Sequence, residues 1–583
     1  MMMAALTMVG TMMTGCTSED LTNGAPQAKN DNNAVTLTTT ICLDGGATTR
    51  ALDAQGKKTF AAGDSIAMIY QDVDGKTMAA MSAVLQATDI TDNGKKAKLT
   101  FNLENSPKPE GQMRYIYPGA MANMEIVEDV EINDDTSIDF INIENKQDGT
   151  LDSLASGFDL AIYDGNFTKD AELPASATLK NQLAIAELTI KDYDGNDITS
   201  TITELEIQQG GALGFHYDLT REAAEGPIYV AMRPTPGSDK DSINIKATTA
   251  AGTKYERDLK YTLAANNMYP LLVKTFKVVD VSTLNSTNTI SGAYTAQNGE
   301  MLTGTLPDEV TAGAPIHIII ADGDATVTLK NLTIDIESDS YGVAGLCCSG
   351  NTTIILEGKN KVKAYNNGYS GIYIENNKTL TITGDGSLEA IGSTNGAGIG
   401  GCGYYASVCG NIVISGGNIT ATGGISAAGI GGCDNSTGTI TILGGSVKAT
   451  GGDKAAGIGG GCLSSCDDIT ISGGTVIAQG GKDAAGIGGG YDGRCSTITI
   501  NPTANVTATK GVKERSESDF YSIGLGGDSV SPQRSCGSVH FDSVEVYDGS
   551  NWTEVPTNGN TYDNLKFSIT TKNYDNDTWI LQP

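Results

Sequence analysis

Four aspartates in the carboxy half, Asp434, Asp467, Asp468 and Asp492, fall on one kind of connector, each a few residues past a glycine-rich phrase. Carboxylates gathered on one flank are the oxygen ligands that Ca2+ takes. Solvated turn aspartates bonded to nearby backbone would leave the same trace in sequence. Their offset from the glycine phrase shifts between occurrences, and the sequence shows no Arg or Lys base matched to them. Tyr404, Tyr405 and Tyr491 occupy the same connectors. Aromatic rings beside polar groups make platforms for ligands with apolar faces, sugars among them; packed loop aromatics are the alternative. No cofactor other than Ca2+ is expected.

Other chemistries find little support. The three histidines, His216, His317 and His540, lie far apart, and two of them sit in alternating strand-like runs ("PIHIII", "SVHF"). Neither zinc ligation nor a His-based nucleophile is indicated. Gly398, Gly400 and Gly403 satisfy G-x-G-x-x-G, but a strand phrase, "NIVIS", follows where a dinucleotide site needs a helix. The net charge is −31, from 69 acids against 38 bases, with no Lys/Arg cluster, so nucleic acid is not a partner. The cysteines make two sets: Cys402, Cys433 and Cys462 just after the glycine run, and Cys409, Cys466, Cys495 and Cys536 before the next strand, with Thr437 filling a gap. Stacked coils would align each set as a column, either of disulfides or of buried thiols.

The elements that position these residues follow from a repeat. "AGIGG" recurs at Ala397, Ala428, Ala456 and Ala485, with a worn copy at Ser522–Gly527. The interval is roughly thirty residues, the length of a solenoid repeat. Each repeat holds three short β phrases: the Ile of AGIGG, then one such as "TITIL", then one such as "SVKAT". No repeat contains a helix-length segment, and no strict Gly-X-Y triplet occurs. Three strands per coil stacked about 4.8 Å apart make a parallel β-helix, right-handed by the crossover preference. Glycine supplies the positive φ that sharp corners need and leaves backbone bare for close approach. On such a stack Tyr405 and Tyr491 stand three coils, roughly 14 Å, apart, within the span of a short oligosaccharide. Residues 281–540 are assigned to the β-helix with its amino-terminal cap and 541–583 to a carboxy-terminal cap holding Trp552 and Trp579. Both ends need covering, since an open coil is an unpaired edge.

The repeats from "GIYIENNKTLTITGDGSLEA" onward resemble carbohydrate-binding β-helix proteins related to pectate lyases. That resemblance implies a glycan partner, from host or plant polysaccharide. Lyases of this architecture need a cleft built by long loops, and these coils are short and even.

Residues 34–280 alternate polar and apolar over strand lengths ("SIAMIYQ", "KAKLTFNL", "ITELEIQ", "SINIKATT"), with Gly, Asp, Asn and Pro between them. Such spacing favours antiparallel sandwiches, here two, over 34–165 and 166–280. "TRALDAQGKKTFAAGDSIAMIY", "YIYPG", "FDLAIYD", "LKNQLAIAELTI" and "LAANNMYPLLVKTFKV" resemble the fimbrillin family, surface lipoproteins and pilus subunits of Bacteroidetes. The resemblance implies two transthyretin-like sandwiches. It also implies a trypsin-like cut after Arg50, which frees a groove for a strand of another fimbrillin-like subunit.

The amino terminus, "MMMAALTMVGTMMTGC", is apolar and too short to span a membrane. It reads as part of an export signal over 1–15, followed by a linker over 16–33. "MTGC" resembles a bacterial lipoprotein box, implying lipid on Cys16, and "SED" after it resembles a surface-export tag. The whole is an all-β chain: two transthyretin-like sandwiches, then a right-handed three-strand β-helix. The expected protein is an outer-membrane lipoprotein exposed on the cell surface, of adhesin or pilus-accessory type, binding glycan without turnover. A calcium-dependent polysaccharide lyase and a structural spacer are the alternatives.

Overall fold

The structure, a computed structural model, describes most of residues 35–43, 59–122 and 147–527. Within 147–527 it omits 155–159, 236–240, 336–341, 365–367, 404–408, 434–436 and shorter breaks. Beyond 527 it describes only the strands Val539–Phe541, Glu545–Tyr547, Trp552–Glu554 and Thr578–Leu581. Cys16, Arg50, Tyr404, Tyr405, Asp434 and Cys536 lie outside the described residues. The chain divides into two units, Met1–Thr275 and Phe276–Pro583. Both are built of β structure, and helix among the described residues is confined to single turns such as Leu151–Ser153.

In the first unit, strands form where apolar residues alternate. Lys96–Leu103 buries Ala97, Leu99, Phe101 and Leu103 and turns Lys98 and Asn102 outward. It pairs antiparallel with Val35–Leu43, which pairs parallel on its other side with Thr178–Asn181. Ala67–Gln71 is buried on both faces. Met68 and Tyr70 join a cluster with Phe101 and Tyr115, while Ala67 and Ile69 join one with Ile116, Ile185 and Ile207. The two cores share that wall of strands, so the unit runs on across the 165/166 division expected between sandwiches.

The second unit is a parallel β-helix. Its first strand, Phe276–Asp280, pairs with Glu300–Thr305, so stacking begins just before the expected start at 281. Nine strands stack along one side, from Ala293–Ala296 to Ile523–Gly524. From Ile399–Gly400 onward they shrink to Ile-Gly pairs in strict register, Ile399 to Ile430, Ile458, Ile487 and Ile523. The second ladder places Leu380, Ile412, Ile440, Ile469 and Ile498 in line, and the third aligns Ala390, Ala421, Ala449, Ala478 and Ala508. These columns form one continuous buried core. Burying each isoleucine is worth roughly 1.5–3 kcal/mol.

The AGIGG phrase is a pinched turn rather than a flat strand. In each of the four copies the Ala amide donates to the last Gly carbonyl, Ala397 to Gly401 and Ala456 to Gly460 at 3.0 Å, which drives the Ile inward. The second Gly takes φ values of 134°, 131°, 127° and 135° at Gly400, Gly431, Gly459 and Gly488. Its carbonyl accepts from the coil before it, as Gly488 O does from Gly460 N at 2.8 Å. A Cβ on Gly459 would collide with that same oxygen. Glycine is therefore required twice over, by backbone conformation and by the next coil's approach.

Gly459→Ala is expected to lower the unfolding free energy by about 2 kcal/mol or more. Thr420→Ala, on the outward side of the third ladder, should stay within about 0.5 kcal/mol of wild type. Denaturant unfolding of the two variants checks both.

Candidate functional site

The connector after each AGIGG turn carries the residues singled out by type. In two successive coils it is a tight turn. Gly493 N donates to Gly490 O at 2.9 Å, and Ser464 N to Gly461 O at 3.4 Å. The third residue of each turn is left-handed, Asp492 at φ 54° and Leu463 at φ 60°. The turns are tied to each other and to the coil before: Leu463 N donates to Tyr491 O at 2.8 Å, and Tyr491 N to Lys454 O at 2.9 Å. Tyr491 is half-buried, and Lys454 Nζ lies 5.7 Å from its ring centroid, a cation–π contact. The sequence showed no basic partner for this connector because Lys454 comes from another coil. Aligning "CLSSC" with "YDGRC" would have marked Leu463 and Arg494 as its exposed turn residues.

The aspartates separate. Asp467 and Asp468 are exposed and Asp492 is buried. Asp468 Oδ1 accepts from Thr497 N of the next coil at 2.8 Å. Asn411 does the same for Thr439 at 2.9 Å, and Asn351 for Thr379 at 3.1 Å. Asp468 thus belongs to a column of coil-to-coil clamps. Asp492 N donates to Gly527 O at 2.7 Å. Among the described residues no three His, Cys, Asp or Glu side chains stand together as metal ligands.

One of the two expected cysteine columns forms as stacking requires. Cys409, Thr437, Cys466 and Cys495 are in parallel register, coil upon coil. Cys466 and Cys495 form a disulfide with Cα atoms 4.5 Å apart. Cys409 is a buried free thiol, its pKa pushed up to about 12 by burial, with the Thr437 hydroxyl pulling weakly the other way. Cys433 packs with Ala397 and Ala427 in a small second core, and Cys402 with Tyr369 and Tyr373 in another. His317 and His540 lie on strands, as does His216.

Comparison with known proteins bears on the fold. The family profile "Beta helix repeat" matches residues 380–404, 412–432, 440–462 and 469–491. No curated protein matches the chain. A candidate cell adhesion protein from Bacteroides ovatus is similar at 14% identity, covering 40% of this chain and 91% of that one, with a TM-score of 0.23. A fimbrial protein from the same species is similar at 10% identity over 37% of this chain and 44% of that one, with a TM-score of 0.17. Pectate lyase Pel3 from Pectobacterium carotovorum is similar at 14% identity over 61% of this chain and 99% of that one, with a TM-score of 0.16. The β-helix assignment rests on the repeat match and on the ladders themselves.

Removing the Cys466–Cys495 link, which closes a separation of 29 residues, is expected to cost about 3–4 kcal/mol. Comparing the unfolding of the Cys466→Ala/Cys495→Ala protein with that of the oxidised parent measures it. Equal stability would mean the bridge is not formed in the folded protein.

Proposed function

We propose that the chain is a surface-anchored lipoprotein of adhesin or pilus-accessory type whose β-helix binds glycan without turnover. The observation that carries the binding reading is the Tyr491 connector: an aromatic ring partly open to solvent, held by backbone bonds to Leu463 and Lys454 of the preceding coil. A platform of that kind holds the apolar face of a pyranose at little entropic cost, because the protein is already ordered. Tyr404 and Tyr405 would extend it toward earlier coils. The glycan would come from host or plant polysaccharide.

Binding without turnover is favoured by the short coils, which among the described residues provide no long loops for a cleft, and by the engagement of Asp468 in coil stacking. The rival reading, a calcium-dependent lyase, would need Asp434, Asp467, Asp468 and Asp492 to share one ion. The cell-adhesion and fimbrial descriptions of the similar structures agree with a surface role. No helix among the described residues is long and apolar enough to cross a membrane, and anchoring is assigned to lipid on Cys16. The pilus reading has its own support. Val35–Leu43, upstream of Arg50, sits inside its sheet between two partner strands and buries Leu37 and Ile41. Cutting at Arg50 and losing that strand would open an apolar groove with two unpaired edges, which a donor strand from another fimbrillin-like subunit would fill.

On a glycan array the full chain is expected to retain a polysaccharide ligand, and Tyr491→Ala to weaken it by about tenfold or more with an unchanged unfolding midpoint. Release of unsaturated product from polygalacturonate and Ca2+ would favour the lyase instead. Cys16→Ala is expected to move the protein from the membrane fraction to the soluble one. Intact-mass measurement of the parent should show an amino terminus at Cys16 carrying acyl chains.

A further inference from the structure

The flank beside Tyr491 carries two features that the packing does not explain. The first is charge. In a chain of net charge −31, several cations of this unit sit in ion pairs, among them Lys277, Lys330 and Lys378. Lys482 bridges Asp453 at 3.5 Å and Glu514 at 3.3 Å, and Lys361 and Lys363 both hold Asp335. Lys454, which lies over the Tyr491 ring, and Arg494, three residues further along the chain than Tyr491, make no ion pair among the described residues. Arg494 is exposed and follows Tyr491 within the same short turn and strand, its amide bonded to Ser464 O at 3.3 Å. Asp467, on the neighbouring coil two residues past Ser465, the register partner of Arg494, is exposed.

The second feature is Leu463. Ten non-glycine residues among those described have positive φ, and Leu463 is the one with a large apolar side chain. Its sister position in the next coil holds Asp492, a residue type that tolerates the left-handed region. Leu463 is also 66% exposed, so the strain is not offset by burial. A costly, exposed apolar residue bonded through its amide to Tyr491 points to contact with something outside the chain.

We propose that Tyr491, Leu463, Lys454 and Arg494 form a subsite for an anionic polysaccharide. This rests on the glycan-binding reading and names the class of glycan. The Tyr491 ring and Leu463 take the apolar face of a sugar, while the Arg494 guanidinium and Lys454 ammonium take the acidic group of that residue or its neighbour. Arginine's fork matches a carboxylate or a sulfate in two-point contact, and lysine serves as a point charge. Two cations without ion pairs on this flank, one of them over the Tyr491 ring, give a local complement that a neutral glycan would not need.

The test uses the full chain on immobilised polygalacturonate, dextran sulfate and uncharged dextran. Retention is expected on at least one polyanion, falling as salt rises, and not on dextran; the polyanion retained tells carboxylate from sulfate. Lys454→Gln/Arg494→Gln should weaken that binding by about tenfold or more with an unchanged unfolding midpoint. Leu463→Asn should raise the midpoint and still weaken binding, a split that a purely structural role would not give. Equal retention on dextran, or a double variant that binds polyanion as the parent does, overturns the proposal. A neutral glycan found on the array and lost with Tyr491→Ala would leave the broader glycan reading standing while this one falls. Failure to bind any glycan would remove both.

Discussion

The second unit depends on how closely one coil's backbone can approach the next. At the pinched side of the helix the glycine carbonyl of one coil receives an amide from the coil before it at 2.8 Å. That leaves no volume for a side chain at the glycine above, whose φ near 130° already suits no other residue. Everything else in the stack follows from keeping this register. The isoleucines meet in line, the alanines of the third ladder meet in line, and polar residues at strand starts reach across to the next coil's amide.

A stack held this tightly has little freedom in its connectors. Those after Gly461 and Gly490 close as short turns bonded to each other, so a side chain on one is fixed relative to those on the other. Precision of this kind suits recognition of an extended polymer, whose successive units can be met by successive coils. Asp468 takes part in that stacking, its Oδ1 accepting from the Thr497 amide of the next coil. The same rigidity stores strain where a residue is poorly matched to its turn, and Leu463 is the clear case. The column from Cys409 to Cys495 obeys the register as well. One adjacent pair has closed into a disulfide, while Cys409, separated from Cys466 by Thr437, remains a thiol.

The first unit is organised differently. Its strands alternate cleanly, yet Ala67–Gln71 is buried on both faces because two cores meet on it. The apolar run "IAMIY" carries that double burial on its surface, since a strand with one wet face would alternate. What it does not carry is which core each face serves. That depends on Ile185, Ile207 and other residues more than a hundred positions downstream.

The repeat phrase, the period near thirty residues and the placement of isoleucine and glycine were enough to establish the β-helix, its three strands per coil and the alignment of one cysteine column, Cys409 to Cys495. Local chemistry dictates these, because each coil is built from its own short segment and repeats its neighbour. The fold decided the rest. It made AGIGG a pinched turn, assigned Asp468 to a clamp and Asp492 to the interior, and brought Lys454 to the ring of Tyr491 from another coil. Those outcomes depend on which residues of different coils fall side by side. In a linear sequence such neighbours are some thirty residues apart, and only the winding of the chain fixes the lateral match.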